Sequence, residues 1–169
     1  MKKLLLSTVA GLAIAGASFT ANASNTATAA ATADAKVIAP ITVAEDTSLD
    51  FGSFTVGGTG GTVESDNGPD GVDVIAVPGT GNTNTNASFD VTGEDGFGYD
   101  ISVPASITLT GTGTDMTAAL VIAGTGSNTG SSTLAGGTDT FGVKGTLTVG
   151  ANQTAGDYAA AYNATVTYQ

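Results

Sequence analysis

The sequence predicts an all-β domain, an immunoglobulin-like sandwich of two antiparallel sheets, on three observations. Short runs of alternating apolar and polar residues recur at roughly the 8 to 12 residue spacing of a sandwich. Glycine supplies 25 of 169 residues and proline only 4, with abundant Thr and Ala, a composition of short strands and turns. Beyond the N-terminal segment no stretch holds a convincing helical period.

The chain opens with a targeting pattern. Lys2 and Lys3 precede an apolar run from Leu4 to Ala17, and Ala21-Asn22-Ala23 is a small-x-small cleavage site. The run is too short and too rich in Gly and Ala to span a bilayer. Residues 1–23 are therefore expected to be a signal peptide cut after Ala23, leaving 169 − 23 = 146 residues, the length of one domain. No membrane insertion is expected after that cut.

Residues 24–36 form the next unit. From Ala27 the odd positions Ala27, Ala29, Ala31, Ala33, Ala35 and Val37 are apolar, and most even positions are Thr, Asp or Lys. This is strand alternation with a very small apolar face. It reads either as a frayed leader or as an extended arm that adds a strand to another subunit's sheet. Because alanine buries little area, the main-chain ladder would carry most of the attraction.

Strand signals follow to the end of the chain. Val37 to Val43 is apolar, with Pro40 suited to a sheet edge, and Ser48 to Phe54 puts Leu49 and Phe51 on one face. Thr62-Val63-Glu64 and Val72 to Val77 are short strands. Ala87 to Thr92 and Tyr99 to Pro104 read as a hairpin turned by Glu94-Asp95-Gly96, and Ile107 to Leu109 pairs onward. Met116 to Ala123 is a strand buried on both faces or at a corner, or else a short helix. Gly124 to Ser132 reads as loop, and Asp139 to Val149 alternates throughout. The last fourteen residues, Gly156 to Gln169, alternate Tyr158, Ala160, Tyr162, Ala164, Val166 and Tyr168 against Asp157, Asn163, Thr165 and Thr167. They read as one strand with a buried face.

Charge and residue inventory exclude several functions. Lys36 and Lys144 face 15 acidic residues after the cleavage site, so the formal charge there is 2 − 15 = −13. Such a field repels nucleic acid and anionic membrane surfaces. There is no Arg, His, Cys or Trp, hence no imidazole base, thiol nucleophile, soft metal site or disulfide. No acid–base pair stands out, so an enzyme is not expected, and no cofactor either. The densest acidic stretch, Glu64 to Asp73, offers Asp66, Asp70 and Asp73 as weak calcium candidates. Its spacing fails the helix-loop-helix calcium pattern, because Val77 stands where the closing acid belongs.

Two resemblances rest on these residues. Pro40-Ile41-Thr42-Val43, Leu49-Asp50-Phe51-Gly52, Phe89 to Gly93, Tyr99 to Pro104, Gly145 to Val149, Ala151-Asn152-Gln153 and Gly156-Asp157-Tyr158 together resemble a family of secreted bacterial domains of unknown function. The C-terminus, with Gly156 fourteenth from the end and Tyr168 penultimate, is similar to the terminal signature of chaperone-usher pilins. That resemblance implies a pilin-like fold in which Gly156, Tyr158, Tyr162, Val166 and Tyr168 border a groove left by a missing strand. It also implies a donor strand from Ala27 to Val37 of the next subunit, and a periplasmic chaperone and outer-membrane usher as partners. Pilins of this kind often carry a disulfide and bulkier donor residues, which this chain lacks. The expectation is a homopolymeric surface filament of a Gram-negative-type bacterium. The alternative is a self-contained secreted adhesin or surface-binding module.

Overall fold

The computed structural model describes residues 26–70, 73–76 and 83–169. The expected signal peptide and its cleavage site lie outside the described residues. The chain divides into two units at Lys36 and Val37. In the first, residues 26–36 form no strand and are exposed.

The second unit is all-β, with no helix among the described residues. Its strands fall into three antiparallel sheets of eight, three and two strands. The large sheet runs β1 (Thr42–Thr47), β6 (Ala87–Thr92), β11 (Thr138–Val149), β9 (Met116–Ile122), β8 (Ser106–Gly111), β12 (Tyr158–Ala159). Its long β11 serves three partners. Thr138 to Val143 pairs with β6, Thr146 to Val149 with β3 (Gly61–Glu64), and the opposite edge with β9. Beyond β3 lies β4 (Gly68–Asp70).

One face of this sheet is apolar along its whole length because the period-2 pattern points alternate residues the same way. Ala87, Phe89 and Val91 of β6, Phe141, Val143, Leu147 and Val149 of β11, and Met116, Ala118, Leu120 and Ile122 of β9 are all buried. Two separate covers lie on it. The sheet of β10 (Thr129–Thr133), β7 (Gly98–Ser102) and β13 (Thr165–Tyr168) presses Tyr99, Ile101, Val166 and Tyr168 onto one half. The ribbon of β2 (Phe54–Val56) and β5 (Val74–Ala76), with Phe51 just ahead of it, covers the other. Gly145 interrupts the apolar row of β11 for a reason of space. A Cβ there would lie 2.6 Å from Cζ of Phe51, so the missing side chain is what lets the ring seat.

Two polar clusters inside are matched. Fully buried Ser65 donates to Asn86 Oδ1 at 2.6 Å and accepts from the Gly145 amide at 2.9 Å. Tyr99 donates to Asp139 at 2.8 Å, and Ser132 donates to the same oxygen, tying β7, β10 and the start of β11 together. Burial opposes ionisation of Asp139, yet the hydrogen bonds from Ser132, Tyr99 and the Thr140 amide outweigh it and hold the carboxyl below its usual range. Burial, then the hydrogen bond to Asp139 and its charge, push the Tyr99 phenol up to about 12.

Several expectations are corrected. β6 and β7 do not form a hairpin: β6 pairs with β1 and β11, and β7 with β10 and β13. Their apolar faces, Phe89 and Val91 against Tyr99 and Ile101, meet across the core instead. β9 is a strand buried on one face only, with Thr117 and Ala119 exposed. The first strand begins at Thr42 rather than Val37, whose side chain is 95% exposed. Before β2 opens at Phe54, Ser48 to Ser53 contributes only an isolated bridge, Asp50 with Thr85, although Leu49 and Phe51 do turn inward. β10 falls in a stretch expected to be loop. Its Thr-Gly-Ser-Ser-Thr has no apolar face and is held as an edge by its ladder to β7.

A candidate groove between the first and last segments

The final segment was expected as one strand and is two. Tyr158 and Ala159 pair with Gly111 and Thr110 of β8. A side chain on Gly111 would run into the Asp157 carbonyl and the Tyr158 ring, so the close approach depends on glycine there. The Tyr158 hydroxyl donates to the Thr154 carbonyl at 2.8 Å. Ala160 to Ala164 then leave the large sheet, and Thr165 to Tyr168 join the three-stranded one opposite Ser102 to Tyr99. The run of alanines explains the switch, since methyl groups lose little area whichever layer they face. The expected alternation survives: Tyr158, Tyr162, Ala164, Val166 and Tyr168 are half-buried and their neighbours exposed, Ala160 being the exception.

At one end the first and last segments are tied together. The Tyr168 hydroxyl donates to the Ala39 carbonyl at 2.9 Å and accepts from the Glu94 amide at 2.7 Å. The Ala39 amide donates to a Glu94 carboxylate oxygen at 3.1 Å. The Tyr168 ring meets Phe97 edge-on, centroids 5.7 Å apart.

At the other end the segments part around an open cleft of about 750 Å³. Leu49 to Val56 forms one wall, Gln153 to Ala160 with Tyr162 the other, and Ile107, Leu109, Met116 and Leu147 of the large sheet the floor. Gly156 and Tyr158 are on this lip, and a side chain at Gly156 would strike Thr112. Among the described residues β1 pairs only with β6, β12 only with β8 and β13 only with β7. No main-chain hydrogen bond is found there for Ala160 to Asn163. An apolar floor beside a stretch of main chain without partners is what an added strand uses, main-chain bonds along that wall and side chains downward.

Of the five groove residues expected from the sequence, Gly156, Tyr158 and Tyr162 line the cleft, while Val166 and Tyr168 lie beyond it on β13. The opposite wall was not expected as part of a groove, although Leu49 and Phe51 on it were read as sharing one face; Phe54 and Val56, at period 2 from one another, continue that signal. Ala27, Ala29, Ala31, Ala33 and Ala35 are exposed, as is Val37.

Two of the calcium candidates have other engagements, and the third stands apart. Asp66 pairs with Lys144, whose hydrogen bond holds the carboxyl below its usual range. Asp73 accepts from the amide of Thr59 at 2.8 Å and from its hydroxyl. Asp70 is exposed on β4. Among the described residues no three acidic side chains are grouped to hold a metal ion, and no helix is long and apolar enough to cross a membrane.

These features define an all-β domain whose first and last segments are clasped at one end and parted by a cleft at the other. The chain belongs to the family of the domain of unknown function DUF4402, whose model matches residues 41–168 and so includes both walls. No curated protein and no solved structure matches it.

Proposed function

We propose that this chain is a structural subunit of an extracellular filament, a pilin, in which the N-terminal arm of one copy fills the cleft of the next. The observation that carries the reading is the cleft itself: an apolar floor flanked by Leu49 to Val56 and Gln153 to Tyr162, with the main chain of Ala160 to Asn163 unpaired among the described residues. On this reading the domain is an immunoglobulin-like sandwich short of one strand, whose place lies between the final segment and the β2 wall. The arm Ala27 to Val37 is eleven residues, about 33 Å when extended at ~3.3 Å per residue, and the cleft wall from Gln153 to Tyr162 is ten.

The arm is secreted with the domain after signal cleavage, and the subunits polymerise on the cell surface. A periplasmic chaperone and an outer-membrane usher are the partners the terminal signature implies. The test is deletion of residues 24–36 from the mature chain. Filaments and denaturant-resistant ladders should vanish while the domain stays folded by circular dichroism. Ladders of unchanged stability would refute strand donation and favour a self-contained secreted module.

A further inference from the structure

The Tyr162 side chain is placed unusually for an aromatic core residue. It packs edge-on against Phe89, ring centroids 6.3 Å apart at 76°, and lines the cleft. Its hydroxyl is buried and has no hydrogen-bond partner among the described residues. A hydroxyl hidden from water without a partner costs free energy, and a phenyl ring would occupy the same apolar setting without that cost. Burial, helped by the charge of Glu45 on β1, pushes the phenol up to about 12, so the group stays an O–H donor at every physiological pH.

Tyr162 belongs to a stretch of the final segment, Ala160 to Asn163, whose main chain also lacks partners among the described residues. Both deficits fall on the same wall. We infer that Tyr162 is the polar anchor of the cleft: as a strand enters, the ring shifts from its buried seat and its O–H donates to a main-chain carbonyl of that strand. This rests on the proposed strand donation and adds the residue that positions the incoming arm. It also gives the hydroxyl a role in the assembled form that it lacks in the isolated subunit.

The consequence separates anchoring from ordinary packing. In the mature full-length chain, Tyr162→Phe should leave the urea midpoint of the monomer unchanged or raised, because an unsatisfied group is removed. The same variant should form oligomers that dissociate roughly 3- to 10-fold more readily, the loss of one net hydrogen bond. Wild-type and variant ladders of equal dissociation constant would overturn the inference and leave strand donation standing. Equal weakening of monomer and oligomer would also overturn it, by making Tyr162 a packing residue only. A wild-type chain that forms no oligomers would overturn the filament reading and the anchor with it.

Discussion

Replacing Tyr168 by Phe removes one oxygen and tests the clasp that joins the two ends of the domain. The phenyl ring keeps its edge contact with Phe97, so the loss is confined to two hydrogen bonds. The bond to the Ala39 carbonyl is exposed, and water replaces it at small cost. The bond from the Glu94 amide is part-buried, and that donor is left poorly satisfied. An ordinary net hydrogen bond contributes about 0.5–1.5 kcal/mol, and a stranded buried donor costs about 1–3 kcal/mol. Discounting both for partial exposure gives a destabilisation of about 1–2 kcal/mol. Urea unfolding of the monomer, followed by tyrosine fluorescence, measures it as a lower midpoint at constant slope. A change below about 0.3 kcal/mol, within the scatter of neutral surface substitutions, would show that the clasp contributes nothing and that the segments are held by β13 pairing alone.

Three further outcomes follow from the same geometry. Gly111→Ala should cost about 1–3 kcal/mol by overpacking and should expose the C-terminal segment to limited proteolysis, because its methyl meets the Asp157 carbonyl and the Tyr158 ring. Phe51→Ala should cost about 3 kcal/mol in thermal or urea unfolding, the ring being nearly fully buried over Gly145. Asp139 predicts a pH dependence. Its carboxyl is depressed in the fold, so its contribution is present above the unfolded value of about 3.9 and is lost as pH falls through the folded value. Unfolding midpoints measured from pH 7 to pH 3 should therefore fall less steeply for Asp139→Asn than for wild type.

Much of the strand content was legible because the period is written in the larger residues. Ala87 to Thr92, Asp139 to Val149 and Met116 to Ile122 each place alternate side chains in the core. Pairing was not legible. Phe89 and Tyr99 are equally apolar whether their strands lie side by side or face to face, and only the closed packing of the two layers selects the second. β10 was invisible because Thr129 to Thr133 has no apolar residue at all. For the groove, the sequence announced one wall through the tyrosine alternation. It missed the switch of sheets at Ala160 to Ala164, where methyl groups favour neither layer. The opposite wall was half visible, since Leu49 and Phe51 were read as inward-facing, while the cleft beside them depends on where Gln153 to Tyr162 passes in space.

Hydrogen exchange of the mature chain, compared between monomer and assembled oligomer, addresses the cleft most directly. If an arm enters it, amides of Ala27 to Lys36, Leu49 to Val56 and Ala160 to Asn163 should gain protection together, with the rest of the domain little changed. Protection gained elsewhere, with the arm still exchanging freely in the oligomer, would contradict the account.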